Sequence, residues 1–289
     1  MSEEQNKSRF SEEVQRKALG AVFSRRRLAK MTAGAAAAAG VAGALGPAVL
    51  AENATPGASP AAGPMDAKQI FYNASLTQGD PVTFDYNANL YNNSEVETAA
   101  GLLMYDENLS AVADWAESWD VSPDATVFTF HIRKDNKGWS DGTAITAHDY
   151  VFSWPRMLDP NTGNQYSNFL ADIKNATAFN TQSPISDPNN PLNGKVPKAS
   201  DLGIEAIDDW TLKVTLEGPR ANFLQKVAYI AASPAPQAQV EKYGDKYALG
   251  DVGPIVTSGP FKVDQWDHNQ KVLLSKNPGY WDADNIHLT

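Results

Sequence analysis

Hydrophobic and polar residues alternate strictly in two stretches of the chain. Across residues 125–133, Phe128, Phe130 and Ile132 fall on one side, and Thr129, His131 and Arg133 on the other. Across residues 210–217, Trp210, Leu212, Val214 and Leu216 oppose Thr211, Lys213, Thr215 and Glu217, with Asp208-Asp209 as the turn that feeds the run. A period of two with one apolar face predicts strands of an antiparallel or mixed sheet. Residues 260–266 and 271–275 predict a hairpin around His268-Asn269, followed by a tight turn at Asn277-Pro278-Gly279. Helical signals lie between these runs. Ser94-Glu95-Val96-Glu97 reads as a capping box opening a helix through Leu103. Thr146-Ala147-His148-Asp149 caps another, with Val151, Trp154 and Leu158 at helical spacing and Pro155 predicted to kink it. Pro219 starts a short helix carrying Phe223, Leu224 and Val227, and residues 237–243 suggest a further one. Trp115 and Trp119, four apart, share a face if their segment is helical. Residues 179–198, rich in Asn and Pro, read as a long surface loop. Strands and helices mix without a strict βαβ rhythm, which predicts an α/β fold in the mixed α+β sense.

Charge is unevenly distributed. The whole chain of 289 residues carries a formal −10, yet residues 1–51 are +4 and the rest −14. Phosphate binding needs clustered Lys and Arg, so an acidic body argues against nucleic acid as a partner. Within the basic leader, Ser24-Arg25-Arg26-Arg27-Leu28-Ala29-Lys30 precedes an Ala- and Gly-rich run ending at Leu50. Paired arginines before a weakly apolar segment read as a twin-arginine export signal carried by Arg25 and Arg26, and Val49-Leu50-Ala51 supports cleavage after Ala51. A basic arm or a retained membrane anchor are the other readings of that leader. Residues 52–67, rich in Pro, Ala and Gly, read as a flexible linker. The chain has no Cys, which excludes disulfides, thiolate metal sites, cysteine nucleophiles and a lipid-bearing cysteine.

Catalytic patterns are missing. The sequence holds no nucleophile elbow, no HExxH and no phosphate-cradling glycine loop. Its four histidines, His131, His148, His268 and His287, are scattered, and none stands at metal-ligand spacing from another. The abundant Asp and Glu leave an exported hydrolase using a carboxylate pair as the reading from the enzyme class. Read from the residues alone, the chain is an exported, acidic, mixed α/β protein that favours a binding module, without metal or cofactor.

Several blocks carry a resemblance. Ala100-Gly101-Leu102-Leu103-Met104-Tyr105-Asp106 and Ala116-Glu117-Ser118-Trp119 resemble a "GLL … LAESW" signature. Phe128-Thr129-Phe130-His131-Ile132-Arg133-Lys134, Trp139-Ser140-Asp141-Gly142-Thr143, Ser258-Gly259-Pro260-Phe261 and Lys276-Asn277-Pro278-Gly279-Tyr280-Trp281 are similar, in order, to "TFHLRK", "WSDGT", "SGPF" and "KNPxYW". Together they resemble the extracytoplasmic solute-binding proteins, family 5, of ABC importers. Ser153-Trp154-Pro155-Arg156 and Asp159-Pro160-Asn161-Thr162 resemble the oligopeptide-binding branch, with Pro155 where a polar residue is usual.

The resemblance implies a periplasmic-binding-protein-like class II clamp whose lobes close on an extended peptide, with no chemistry performed on it. Residues 68–99 and 236–289 would form part of lobe one, and residues 100–235 the smaller inserted subdomain. Tyr166 matches the branch's ligand-facing tyrosine. Asn87, Asn89 and Tyr91 lie in the loop that takes the place of the ligand-lining backbone, by position rather than identity. Ser258 and Gly259 enter a strand close to the cleft. Implied partners are an oligopeptide, the permease subunits of the importer and the twin-arginine export machinery, with a monomer when full length. The implied location is the periplasm, or the cell envelope if the signal is uncleaved. The same fold binding dipeptides, a nickel chelate or sugar is the alternative. Family members continue for a comparable length past the "NPxYW" turn, so the resemblance also implies that Thr289 ends an N-terminal half.

Overall fold

The alternating segments become the inner strands of the main sheet. A computed structural model describes residues 79–89, 94–134 and 136–288. The leader with Arg25, Arg26 and Ala51, the 52–67 linker and Tyr91 lie outside the described residues. Strands β3 (Ala116–Val121), β4 (Val127–Ile132), β5 (Ile204–Asp208) and β6 (Thr211–Thr215) pair antiparallel in the order β3-β4-β6-β5. The register places Phe128 opposite Val214 and Phe130 opposite Leu212, and all four are buried. Burying a side chain of this size contributes about 1.5–3 kcal/mol, so this face anchors the core. Phe223, on the short helix Phe223–Val227, closes over Phe128 at 5.0 Å between ring centroids.

Helix Ala147–Leu158 packs across β5 and β6. The Asp149 carboxylate accepts from the Thr146 amide at 2.7 Å, the closure of the predicted capping box. The helix runs on through Pro155, and Trp154 is fully buried, donating from Nε1 to Ala232 O at 2.9 Å. One residue past the proline, Arg156 makes a two-pronged ion pair with Asp85, Nη1–Oδ1 at 2.8 Å and Nη2–Oδ2 at 2.5 Å. Asp85 also accepts from the Tyr247 hydroxyl at 2.8 Å and from the Asn87 amide at 3.1 Å. Burial, then the Asp85 charge, pushes the Tyr247 hydroxyl well above its ordinary pKa.

One expectation from the sequence is corrected. The helix expected from Ser94 through Leu103 covers only Glu95–Thr98, and Ser94 makes no side-chain cap. Tertiary bonds take the backbone groups a longer helix would need. Ala100 N–H donates to Ser258 Oγ at 2.9 Å, Ala100 O accepts from that hydroxyl at 3.0 Å, and Gly259 N–H donates to Thr98 O at 2.9 Å. Leu103 therefore starts strand β1 (Leu103–Tyr105), paired antiparallel with β2 (Ala111–Ala113). Trp115 falls in a bend and Trp119 in a strand, so the two do not share a helical face. Trp115 is buried just before β3, whereas Trp119 stands in β3 opposite Phe130.

The expected hairpin forms as β7 (Phe261–Asp267) and β8 (Lys271–Lys276), turning through Asn269 at φ +58°. Asp80 ties it to the start of the described chain: Trp266 Nε1 donates to Oδ1 at 2.9 Å, and His268 Nδ1 lies 2.7 Å from Oδ2. Hydrogen bonding and charge from Asp80, aided by Asp251 at 3.5 Å, hold the His268 pKa above the ordinary 6.5. A raised histidine pKa stabilises the fold fully below the unfolded value and ceases to do so as pH rises through the folded one. Hydrogen exchange of the β7–β8 amides is expected to accelerate relative to the main sheet as pH rises above 6.5, and His268→Gln to remove that difference; equal pH profiles in the two proteins would contradict the assignment. Asp85→Ala removes the carboxylate facing the part-buried Arg156 guanidinium, and its expected cost is about 3–5 kcal/mol in a denaturant titration. A loss below about 1 kcal/mol would place the pair at the level of a surface ion pair.

Candidate functional site

One side chain connects the expected ligand-facing tyrosine to the expected ligand-lining loop. Asn164, buried, donates from Nδ2 to Asn87 O at 2.6 Å and to Tyr86 O at 3.2 Å, while its Oδ1 accepts from the Tyr166 amide at 2.6 Å. Tyr166 is half-buried in an aromatic cluster. Its ring lies 6.1 Å from Phe169 and 5.4 Å from Tyr229, which stack on each other at 4.4 Å and 19°. Burial first, then Tyr166 and the Glu95 charge, pushes the Tyr229 hydroxyl above its ordinary pKa, so it remains a neutral donor.

The expected site residues do not all sit alike. Asn87 is fully buried; its Nδ2 donates to Ser233 O at 3.2 Å. Asn89 is half-buried, its amide donating to Asp85 O at 2.8 Å. Ser258 and Gly259 are buried behind the loop rather than beside Tyr166. The Ser258 side chain is spent on Ala100, and a Cβ at Gly259 would stand 2.5 Å from Thr98 C. Thr98 in turn meets the Tyr86 hydroxyl, so this pair supports the loop from below. The structure thus joins Asn87 to Tyr166 through Asn164, while Asn89 is tied to Asp85 and Ser258 and Gly259 pack against Ala100 and Thr98.

Sequence reading missed Asn164, Phe169 and Tyr229. Asn164 and Phe169 lie two residues before and three after Tyr166, a signal open to use; Tyr229 carries none, since only folding brings it there. Among the described residues, no group of three His, Cys, Asp or Glu stands close enough to hold a metal ion. His131–Asp120 at 2.8 Å and His148–Asp209 at 3.1 Å are solvent-accessible pairs on the sheet and the helix start. No described helix is long and apolar enough to cross a membrane.

Residues 110–289 match the family described as bacterial extracellular solute-binding proteins, family 5 Middle. The chain belongs to that family. It is 41% identical over 181 residues to the periplasmic oligopeptide-binding protein OppA of Escherichia coli, covering 63% of this chain and 31% of the relative. It is 33% identical over 235 residues to the probable deoxycholate-binding periplasmic protein YgiS of the same organism, covering 79% of this chain and 40% of the relative. Among solved structures, the substrate-binding domain of a Bacillus anthracis oligopeptide ABC transporter aligns with a TM-score of 0.65 at 34% identity, over 76% of this chain and 40% of that one. Haemophilus influenzae OppA in complex with RPPGFSPFR aligns at 0.62 and 30% identity, over 71% and 38%. The chain spans 31–40% of the length of these relatives.

Within the family match fall Asn164, Tyr166, Phe169 and Tyr229, whereas Asn87 and Asn89 precede it. The link between the two therefore crosses the edge of the matched region, and Asn164 carries it. Asn164→Ala leaves two loop carbonyls without that donor; its expected cost is about 1–3 kcal/mol of stability, with faster exchange of the Asn87 and Asn89 amides. Unchanged exchange at those amides would show that the loop does not depend on Asn164.

Proposed function

We propose that this chain is the cargo-capturing part of an extracytoplasmic receptor for an ABC peptide importer, holding extended oligopeptides and passing them unchanged to the permease. The carrying observation is the Asn164 clamp, which fixes loop backbone beside an accessible tyrosine in a family whose OppA members bind oligopeptides. An extended peptide presents unpaired N–H and C=O groups at regular spacing, and backbone groups held in place on the protein meet them without reading side chains. Water in roomy pockets then accommodates varied side chains. In this reading Tyr166 lies against the peptide, Asn87, Asn89 and Tyr91 belong to the lining loop, and Ser258 and Gly259 hold that loop in place. Residues 68–99 and 236–289 serve as lobe one and residues 100–235 as the inserted subdomain, the whole being exported through the twin-arginine signal at Arg25 and Arg26, cleaved after Ala51, and acting as a monomer. No cofactor and no bond-breaking step are required.

The similarity to YgiS favours one second reading, an amphipathic steroid acid resting on the Tyr166–Phe169–Tyr229 face. Titration calorimetry of the complete gene product against a mixed short-peptide library and against deoxycholate separates the two. Saturable peptide binding is expected, with intact peptide recovered afterwards and about tenfold weaker affinity in Tyr166→Ala, roughly 1.4 kcal/mol of contact. Binding of deoxycholate alone would replace the peptide reading by the second, and consumption of the peptide would overturn both.

A further inference from the structure

A separate cleft of about 530 Å³ opens where the end of β4 meets the 278–281 turn, lined by Glu117, Arg133, Lys134, Asn136 and Lys137 on one side and Trp281 on the other. None of the residues of the peptide face lines it. Its three cationic groups stand together, and Arg133 differs from the other described arginines, Arg156 and Arg220, which pair with carboxylates. Arg156, Lys213, Arg220, Lys226, Lys262 and Lys271 each pair with a carboxylate. Among the described residues Arg133, Lys134 and Lys137 have no carboxylate partner, as is also true of isolated lysines such as Lys174, Lys195 and Lys198, but here three such cations line one cleft. Glu117 is the carboxylate among the described lining residues; Asp135 lies outside the described residues.

Arg133 is held rather than merely exposed. Its Nε donates to Asp114 O at 2.9 Å and its guanidinium lies 3.9 Å over the Trp281 ring. Those contacts fix the plane of the group and leave Nη1 and Nη2, the fork that engages an oxyanion by two parallel hydrogen bonds, unpartnered. The walls are rigid as well. Asn136 donates to Arg133 O at 2.7 Å and Ile145 O at 2.9 Å, and accepts from the Ile145 amide at 2.8 Å. A Cβ on Gly279 would fall 1.8 Å from Lys137 O, so the turn and the lysine's backbone touch without side-chain padding. Ordering costs are therefore met before anything binds.

We propose that this cleft is a binding site for a small multivalent oxyanion, a polycarboxylate or a phosphate compound, gripped by the Arg133 fork and flanked by Lys134 and Lys137. A fixed fork with two mobile ammonium groups suits a ligand with more than one anionic group, and the volume admits more than a single phosphate. The site is independent of the peptide face, so either assignment stands if the other fails.

Calorimetry of the full chain at low ionic strength, with citrate, inorganic phosphate and pyrophosphate as separate probes, tests it. At least one probe is expected to bind saturably at one site per chain, the preferred probe telling carboxylate from phosphate. Arg133→Lys, which keeps the charge and removes the fork, is expected to weaken that probe about tenfold or more with an unchanged melting temperature. If that variant melts lower, Lys134→Gln with Lys137→Gln, both on exposed side chains, becomes the deciding protein, with several-fold weaker binding expected. Absence of saturable binding by all three probes, or parent affinity in the deciding variant, overturns the proposal.

Discussion

The buried pairing of Asp85 with Arg156 fixes the position of the candidate ligand-lining loop. The two residues are 71 apart in sequence, and their side chains are only 8% and 16% exposed. Because Asp85 also takes the Tyr247 hydroxyl, two distant segments converge on its carboxylate, which holds the Asn87 amide of its own loop as well. A buried ion pair gives little net stability over a well-packed apolar pair, yet it is costly to break on one side. It is suited to specifying position: the loop can dock in the register that satisfies Asp85 and in few others. Arg156 is itself held by a helix packed over the main sheet, and Asn164 then carries the loop's placement to Tyr166.

A second polar junction explains what most of the recognisable sequence blocks do. Trp115 Nε1 donates to Ser258 O at 3.0 Å, and Asn277 Nδ2 donates to both Gly138 O and Gly259 O at 3.0 Å. Tyr280 and Trp281 both donate to Asp114 Oδ1, at 2.7 and 2.8 Å. A Cβ on Gly138 would meet the Trp115 ring at 2.3 Å, so that glycine is required by close approach. The blocks that resemble "SGPF" and "KNPxYW" thus join the hairpin to the sheet, and the groups facing solvent at this junction are those of the basic cleft.

Where local pattern and burial agree, the fold was legible. The alternation at Phe128, Phe130, Leu212 and Val214 gave the inner strands, and the helix expected over residues 237–243 forms as Gln237–Tyr243. Reading failed where tertiary hydrogen bonds override a local signal, as at Ala100, whose backbone is claimed by Ser258. The candidate site was only partly legible. Tyr166 is a candidate through resemblance and Asn87 and Asn89 through position, but no period or motif marks the Asp85–Arg156 pair or Tyr229, which meet their partners only through the folded topology. The Arg133 fork was hidden for the same reason: within its strand it reads as the outward member of an alternating pair.

The most direct test of the central claim is a crystal structure of the complete gene product with a bound tripeptide. The account predicts main-chain hydrogen bonds between the peptide and the loop beginning at Asn87, with the Tyr166 ring against the peptide and the Asp85–Arg156 and Asn164 contacts intact. A peptide bound elsewhere, or held through its side chains alone with that loop untouched, would contradict it.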